Sequence, residues 1–163
     1  PVDKLEVHRR GLRHPAVSVF VIAGDRTLIQ RRAPGKYHSA GLWSNAVCTH
    51  PHWGEAPEAC ARRRLGEELG ANGLVPVPRD RVEYRASVAS AAGGMVEHEV
   101  VDLFVAEARP GLALAPDPGE VSALRWVALA RLREEVAARP DAFTPWLRIY
   151  LSEHAQRIFG AAA

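Results

Sequence analysis

GEAPEACARRRLGEELG, residues 54–70, is the stretch whose reading decides the fold. Pro57 stands in the first turn, where a helix tolerates proline, and Gly70 stands where a helix stops. Between them Ala61, Leu65 and Leu69 recur at four-residue spacing and mark one apolar face. The spacing predicts a helix from Glu55 to Gly70. Its remaining surface carries Arg62-Arg63-Arg64 and then Glu67-Glu68, with Arg64 and Glu68 one turn apart on a shared face. One reading of that pair is an ordinary exposed ion pair, worth about 0.3–0.5 kcal/mol. The other is a carboxylate aimed at a metal ion beside a guanidinium aimed at phosphate.

Upstream of the helix, AVSVFVIA (16–23) is apolar and β-branched and predicts a buried strand, with Gly24-Asp25 turning into a returning strand TLIQR at 27–31. Residues 34–41 read as a loop rich in Gly, Pro and Ser. Downstream, strands are expected over 81–87 and 97–106, on either side of a small-residue turn at 91–94, and 110–118 reads as a proline-punctuated loop. VSALRWV (121–127) predicts a further strand and 128–138 an amphipathic helix. A final helix is expected over 145–159, with Pro145 in its first turn, Gly160 behind it and a frayed tail to Ala163. Strands and helices mixed in this order predict an α+β fold, a mixed sheet layered with helices, and 163 residues suit one domain over 1–163.

Composition removes several functional classes. With 47% hydrophobic and 25% charged residues the chain is not of the disordered type. The longest apolar run, Ala16 to Ala23, is far short of the roughly 20 residues of a spanning helix, so no membrane association is expected. The first residues lack the basic-then-apolar pattern of an export signal, and a chain opening on Pro1 is expected to have lost its start. Two cysteines cannot build a disulfide framework, which points to a reducing cytoplasm. The net charge is only +2, and cations, 19 of the 21 being Arg, alternate with acids. Without a clustered basic stripe, no nucleic-acid partner is expected.

Three further places carry chemistry. Cys48 and His50, in Val47-Cys48-Thr49-His50-Pro51, project from one face of an extended chain. Taken alone, they read first as a core thiol beside a surface imidazole. In Glu97-His98-Glu99, alternation places both carboxylates on one face and His98 on the other. Such a pair belongs on a solvated strand end or around a cation, and the run from Val100 to Val105, read as buried on both sides, favours the cation. His8 and His14 flank Arg9–Arg13 ahead of the first strand. If they converge with His50, three imidazoles and two carboxylates form a shell suited to an octahedral ion such as Mn2+ or Mg2+, more than to a closed Zn2+ site.

Gly54 to Gly70 resembles the Nudix helix, keeping Arg63, Leu65, Glu67, Glu68 and Gly70 but placing Arg64 where Nudix hydrolases carry a Glu. Together with Trp43–Pro51 and Glu97-His98-Glu99-Val100, in that order, the chain resembles the type I isopentenyl-diphosphate Δ-isomerases from about His8 to beyond Trp146. The resemblance implies a Nudix-like fold and an isomerase that interconverts isopentenyl and dimethylallyl diphosphate. It implies Cys48 and Glu99 as the acid/base pair, and a metal site of His8, His14, His50, Glu97 and Glu99, with residues 1–14 as a ligand-bearing segment. Glu68, with the backbone carbonyl of Cys48, would hold a Mg2+ ion that arrives with the diphosphate. Arg32, Lys36 and Arg64 fall where the family grips the diphosphate, and Tyr84 and Trp146 match an active-site tyrosine and tryptophan. The implied partner is a small prenyl diphosphate, and the implied assembly a monomer or weak homo-oligomer.

These residue types suit the reaction. A 1,3-allylic proton shift needs one group to protonate the terminal carbon and another to deprotonate the allylic carbon, from opposite sides. A cation-like intermediate needs a dry pocket and tolerates an aromatic face such as Trp146. Two other readings are a Nudix-type diphosphate hydrolase, opposed by Arg64, and a catalytically silent binding module, opposed by intact Cys48 and Glu99.

Overall fold

The computed structural model describes residues 3–90, 93–109 and 111–160. The Glu55–Gly70 segment forms helix α2 over Pro57–Leu69. Here Gly70 takes a left-handed φ of 65° and its N–H closes onto the Gly66 carbonyl. Cys60, Ala61, Leu65 and Leu69 are buried along one face. The remaining elements, in chain order, are α1 (Lys4–Arg10), β1 (Arg13–Ala23), β2 (Arg26–Arg32), β3 (Trp43–Asn45) and β4 (Val47–Thr49) before α2. After it come β5 (Val77–Val88), β6 (Met95–Glu107), β7 (Val121–Ala128), α3 (Leu129–Ala138), a 3-10 turn (Pro140–Ala142), α4 (Pro145–Glu153) and α5 (Ala155–Phe159).

The seven strands form one mixed sheet, β3-β2-β1-β6-β5, with β4 also paired to β1 and β7 to β2. β1 and β6 run parallel and the other pairings are antiparallel. Side-chain alternation along β1 divides the interior. Val17, Val19 and Val21 pack with Leu28, Val47 and Phe104 against Ala61, Leu65 and Leu69 of α2. Ala16 and Phe20 face the other way, onto Leu132 of α3, Trp146, Leu147 and Tyr150 of α4 and Ile158 of α5. The result is the expected α+β arrangement, a mixed sheet with helices layered on both faces. Among the described residues no helix is long and apolar enough to cross a membrane.

Several expectations change in detail. The first strand begins at Arg13, not 16, because parallel pairing with β6 extends it through His14 and Pro15. His14 therefore lies within the strand. Helix α1 was not expected; Asp3 caps it by accepting from the Leu5 and Glu6 amides, and Gly11 ends it at φ 59°. The expected helix over 145–159 is broken at His154, whose φ of −126° leaves the helical region. Just before the break the Ser152 hydroxyl donates to the Ile149 carbonyl, a side-chain bond that competes with the helical ladder. Val100 to Val105 are not uniformly buried. Alternation persists through Asp102, which turns outward to accept from Arg81, and both faces are covered only from Leu103 to Ala106. The expected turn at 91–94, loop at 110–118 and tail to 163 include residues 91–92, 110 and 161–163, outside the described ones.

Gly70 tests how α2 is seated. A Cβ there would meet the Ala115 Cβ and carbonyl oxygen at 2.9 Å, on a backbone angle that already disfavours any L side chain. Gly70→Ala is expected to destabilise the protein by about 2 kcal/mol or more. Gly73→Ala, with nothing near its Cβ position, should stay within about 0.5 kcal/mol of the parent in the same urea titration.

Candidate active site

Strand register assembles the site. Parallel pairing sets His14 of β1 directly beside Glu99 of β6, and antiparallel pairing sets Tyr84 of β5 on the other flank of Glu99. β4 pairs with β1 through Ser18↔Cys48 and Val17↔Thr49. Cys48, and His50 just past the strand, therefore share the face of the sheet that carries His14. The β-bearing residues converge from positions far apart in sequence, and α1, packed against β6, adds buried His8.

The donor geometry fits a divalent cation. His8 Nδ1 lies 2.7 Å from the Lys4 carbonyl and His14 Nδ1 lies 2.7 Å from the Leu12 carbonyl. Each ring thereby donates its N–H to backbone and turns the Nε2 lone pair inward, the usual arrangement for a metal-ligating imidazole. His8 Nε2 is buried with no hydrogen-bond partner among the described residues. His14 Nε2 and His50 Nε2 stand 3.1 Å apart, with Glu99 Oε1 3.5 Å from the first and 2.9 Å from the second. Ligand atoms of His8, His14, His50 and Glu99 all lie within 4.8 Å of one another, a set whose converging lone pairs a cation would reconcile. Glu97 does not join that group. It forms a second one with His8 and His38, its Oε1 3.4 Å from His38 Nε2.

Both carboxylates are buried, yet their environments push them apart. Burial and the neighbouring Glu99 charge hold the Glu97 carboxyl well above the ordinary range. Burial also works against ionising Glu99, but its polar contacts with His14, His50 and Tyr84 outweigh it and pull the carboxyl below that range. Tyr84 Oη lies 3.0 Å from Glu97 Oε2 and 2.8 Å from Glu99 Oε2, with one proton to give. The pattern that satisfies all three groups has protonated Glu97 donating to Tyr84 and Tyr84 donating to ionised Glu99. Burial, before any charge, pushes the His38 ring down to about 2, so this imidazole is neutral.

Cys48 is half-buried, and burial followed by the Glu99 and Glu97 charges raises its thiol well above the ordinary value. Its strand is fixed by Asn45, whose side-chain amide donates to Ser18 Oγ at 2.8 Å, the Val19 carbonyl at 3.0 Å and the Val47 carbonyl at 2.8 Å. Ser44 Oγ accepts from Trp146 Nε1 at 2.8 Å and so fixes the indole, which is 1% exposed. The Arg32 guanidinium lies 5.2 Å from the Trp146 ring centroid, with its buried Nε unpartnered among the described residues.

Lys4, Arg32, Lys36 and Arg64 form a cationic rim around one cavity, which Cys48, His50, Glu97, Glu99 and Trp146 also line. Its internal volume of about 30 Å³ is room for one or two waters. The Arg64–Glu68 pair is not the exposed kind. Glu68 is 3% exposed, accepts from Arg64 at 3.0 and 2.6 Å on Oε1, and accepts from Gln30 at 2.9 Å on Oε2.

Sequence reasoning overlooked Lys4, Tyr37, Ser18 and Glu120, and noted His38 only as a residue of a loop that could close over substrate. Lys4 was within reach, since Asp3 and Gly11 bracket a helix on which Lys4 and His8 are one turn apart. His38 and Glu120 carry no local signal, because their partners come from other strands and loops. Cys60 is buried against Ala61 and Leu65, as a packed thiol should be.

Comparisons with known proteins bear on the family and the fold. Residues 12–147 match the model of the NUDIX domain family. The chain is 64% identical over 160 residues to an isopentenyl-diphosphate Delta-isomerase of Cereibacter sphaeroides, covering 98% of this chain and 89% of that protein. It is 61% identical over 163 residues to the protein of that name from Dinoroseobacter shibae, covering 100% and 91%. Among solved structures, the fold is similar to a protein from Deinococcus radiodurans (TM-score 0.68, 19% identity, 90% of this chain and 83% of that one). It is also similar to a MutT NUDIX hydrolase from Burkholderia pseudomallei (TM-score 0.63, 24% identity, 87% and 98%).

The segment after His50 is tied down by Glu55, which accepts from the His52 amide at 2.8 Å and from Arg63 at 2.7 Å on each oxygen. The Arg63 hydrogen bonds lower the Glu55 carboxyl from 4.5 to about 2. A depressed carboxyl stabilises the fold above its ordinary value, and that contribution is lost as pH falls from 4.5 toward 2. The urea midpoint of Glu55→Gln is therefore expected below that of the parent at pH 7, with the gap closing as both are titrated to pH 3.

Proposed function

Because the chain belongs to the NUDIX domain family and, within it, to the isopentenyl-diphosphate Delta-isomerases, we propose that it interconverts isopentenyl and dimethylallyl diphosphate by a 1,3-allylic proton shift at Cys48 and Glu99. The observation that carries the reading is one cavity at which a thiol, a buried carboxylate with a tyrosine beside it, an indole and a cationic rim all meet. In the forward direction a proton is added at the terminal alkene carbon and one is removed from the carbon that bears the diphosphate-linked oxygen on its neighbour, so the double bond moves inward by one position. Cys48 and Glu99 perform the two transfers from opposite sides of the bound alkene.

Each supporting residue has a part. The raised thiol keeps Cys48 from being a permanent thiolate, as a group that must both hold and release a proton requires. Tyr84 links Glu97 to Glu99 and orients the Glu99 carboxylate. Trp146 presents an apolar, electron-rich face to the positive charge that develops on the tertiary carbon, an interaction worth about 2 kcal/mol when desolvated. The cavity has room for only one or two waters, which bound substrate would displace before they could trap that charge. Lys4, Arg32, Lys36 and Arg64 bind the diphosphate, and their distance from the reacting carbons lets that binding energy position the alkene.

Two cations complete the reading. His8, His14, His50 and Glu99 would hold a divalent ion, with Glu97 beside it; three imidazoles favour a transition ion such as Mn2+ over Mg2+, and when bound it supplies positive charge that tunes the acidity of the Glu99 carboxyl. Glu68, with one acceptor position left after Arg64 and Gln30 are served, would hold with the Cys48 carbonyl a Mg2+ ion that neutralises the diphosphate. The two free cysteines, Cys48 and Cys60, suit a reducing cytoplasm. Arg64, engaged with Glu67 and Glu68, stands in the helix position where a hydrolase needs a further acid, which disfavours diphosphate hydrolysis.

In D2O with Mg2+ and Mn2+, the parent protein is expected to incorporate deuterium into isopentenyl diphosphate and to form dimethylallyl diphosphate. Cys48→Ala and Glu99→Gln should each lose at least about 10²–10³-fold in turnover, the range for removing an acid or base group. Full turnover by Cys48→Ala, or release of inorganic phosphate by the parent, would refute the assignment. Chelation should also lower the melting temperature of the parent, and Mn2+ should restore it less well to His50→Ala.

A further inference from the structure

We propose that Glu120 is the built-in counter-anion of the diphosphate grip, holding Lys36 and Arg64 in place until a diphosphate takes them over and thereby setting the affinity of the site for its anion. The inference rests on the reading of the cationic rim as a prenyl-diphosphate site.

Four cations share that rim. The Lys4 ammonium among them lies 4.9 Å over the Tyr37 ring. Glu120 is the carboxylate that, among the described residues, reaches both Lys36 and Arg64, pairing closely with the first and at 3.4 Å with the second. It stands just ahead of β7, and its backbone is fixed: the Ala33 amide donates to its carbonyl at 2.9 Å and its own amide donates to Asp117 at 3.0 Å. Only the side chain is free to turn away. That side chain is 25% exposed, so solvent can receive it.

Glu68 differs on each of these counts. It is 3% exposed and is held by Gln30 as well as Arg64. Of the three acids on Arg64, which are Glu67, Glu68 and Glu120, Glu120 is the one that also holds Lys36, so it is the one an anion bridging both cations would displace. Glu120 occupies the positions on Lys36 and Arg64 that a diphosphate bridging the two would take, so such an anion exchanges for it. A carboxylate left between Lys36 and Arg64 would oppose every negative oxygen placed there. Exchanging it for diphosphate releases the carboxylate to water and keeps both cations paired throughout.

The test is binding of inorganic diphosphate to the full chain by isothermal calorimetry, without Mg2+ and then with it. Glu120→Gln is expected to bind about 5–20-fold more tightly than the parent, equivalent to about 1–2 kcal/mol, with the difference shrinking at high salt. The KM for isopentenyl diphosphate should fall in the same direction. Glu120→Asp, which keeps the charge on an arm too short to reach both partners, should bind between the two and serves if the amide variant folds poorly. A merely structural role would weaken binding, so equal or weaker binding by Glu120→Gln overturns the proposal. Weaker binding together with a higher Mg2+ requirement would overturn it in favour of a metal-holding role. If the parent binds diphosphate and the variant shows no tightening, only the Glu120 proposal fails; if neither binds, the reading of the rim fails and takes the proposal with it.

Discussion

The parallel pairing of β1 with β6 is the constraint on which everything else depends. It runs unbroken from Arg13↔His98 to Ile22↔Glu107. Because side chains alternate along a strand, a slip of one residue would turn Glu97 and Glu99 to the face that packs on α2 and expose His98 to the site. The apolar stripes make that slip prohibitive, since it would also expel Val101, Leu103 and Val105 from the layer beneath α3–α5. Hydrophobic burial thus fixes the position of the polar groups. Glu99 is held between His14 and Tyr84 by the same register that packs the core.

Such a site is expensive to build. Buried carboxylates, imidazoles and a thiol each lose hydration, and their mutual charges must be sorted before the fold tolerates them. The sorting is done with neighbours that cost little: backbone carbonyls orient His8 and His14, Tyr84 joins two acids, and Asn45 and Ser44 brace the strand and the indole. The opposite charges at the rim are kept apart from this inner set. Lys36, Arg64, Glu68 and Glu120 settle accounts among themselves, and Arg32 stacks on Trp146 between the two regions.

Much of this was legible in the chain, for identifiable reasons. Helix α2 and strands β1, β2 and β7 follow from local periodicity and from Gly and Pro at their ends, signals contained within each segment. The pairing of Glu97 with Glu99 on one face follows from alternation alone. What was not legible is long-range. No local pattern says that β1 meets β6 in parallel, that Pro15 belongs to the strand, or that His38 reaches Glu97 from a loop. The break at His154 is equally hidden, since the apolar spacing from Trp146 through Ile158 continues across it. The roles proposed for Cys48, Glu68 and Trp146 came from the resemblance to a known family, since spacing by itself left them open.

Helix α1 has a practical consequence. Seven residues are too few to stay helical unaided, so α1 is helical because it rests on β6. It nevertheless contributes both a buried imidazole, His8, and a rim cation, Lys4. Loosening α1 from β6 would therefore move an inner imidazole and a rim cation together, so the two regions of the pocket share one mechanical support.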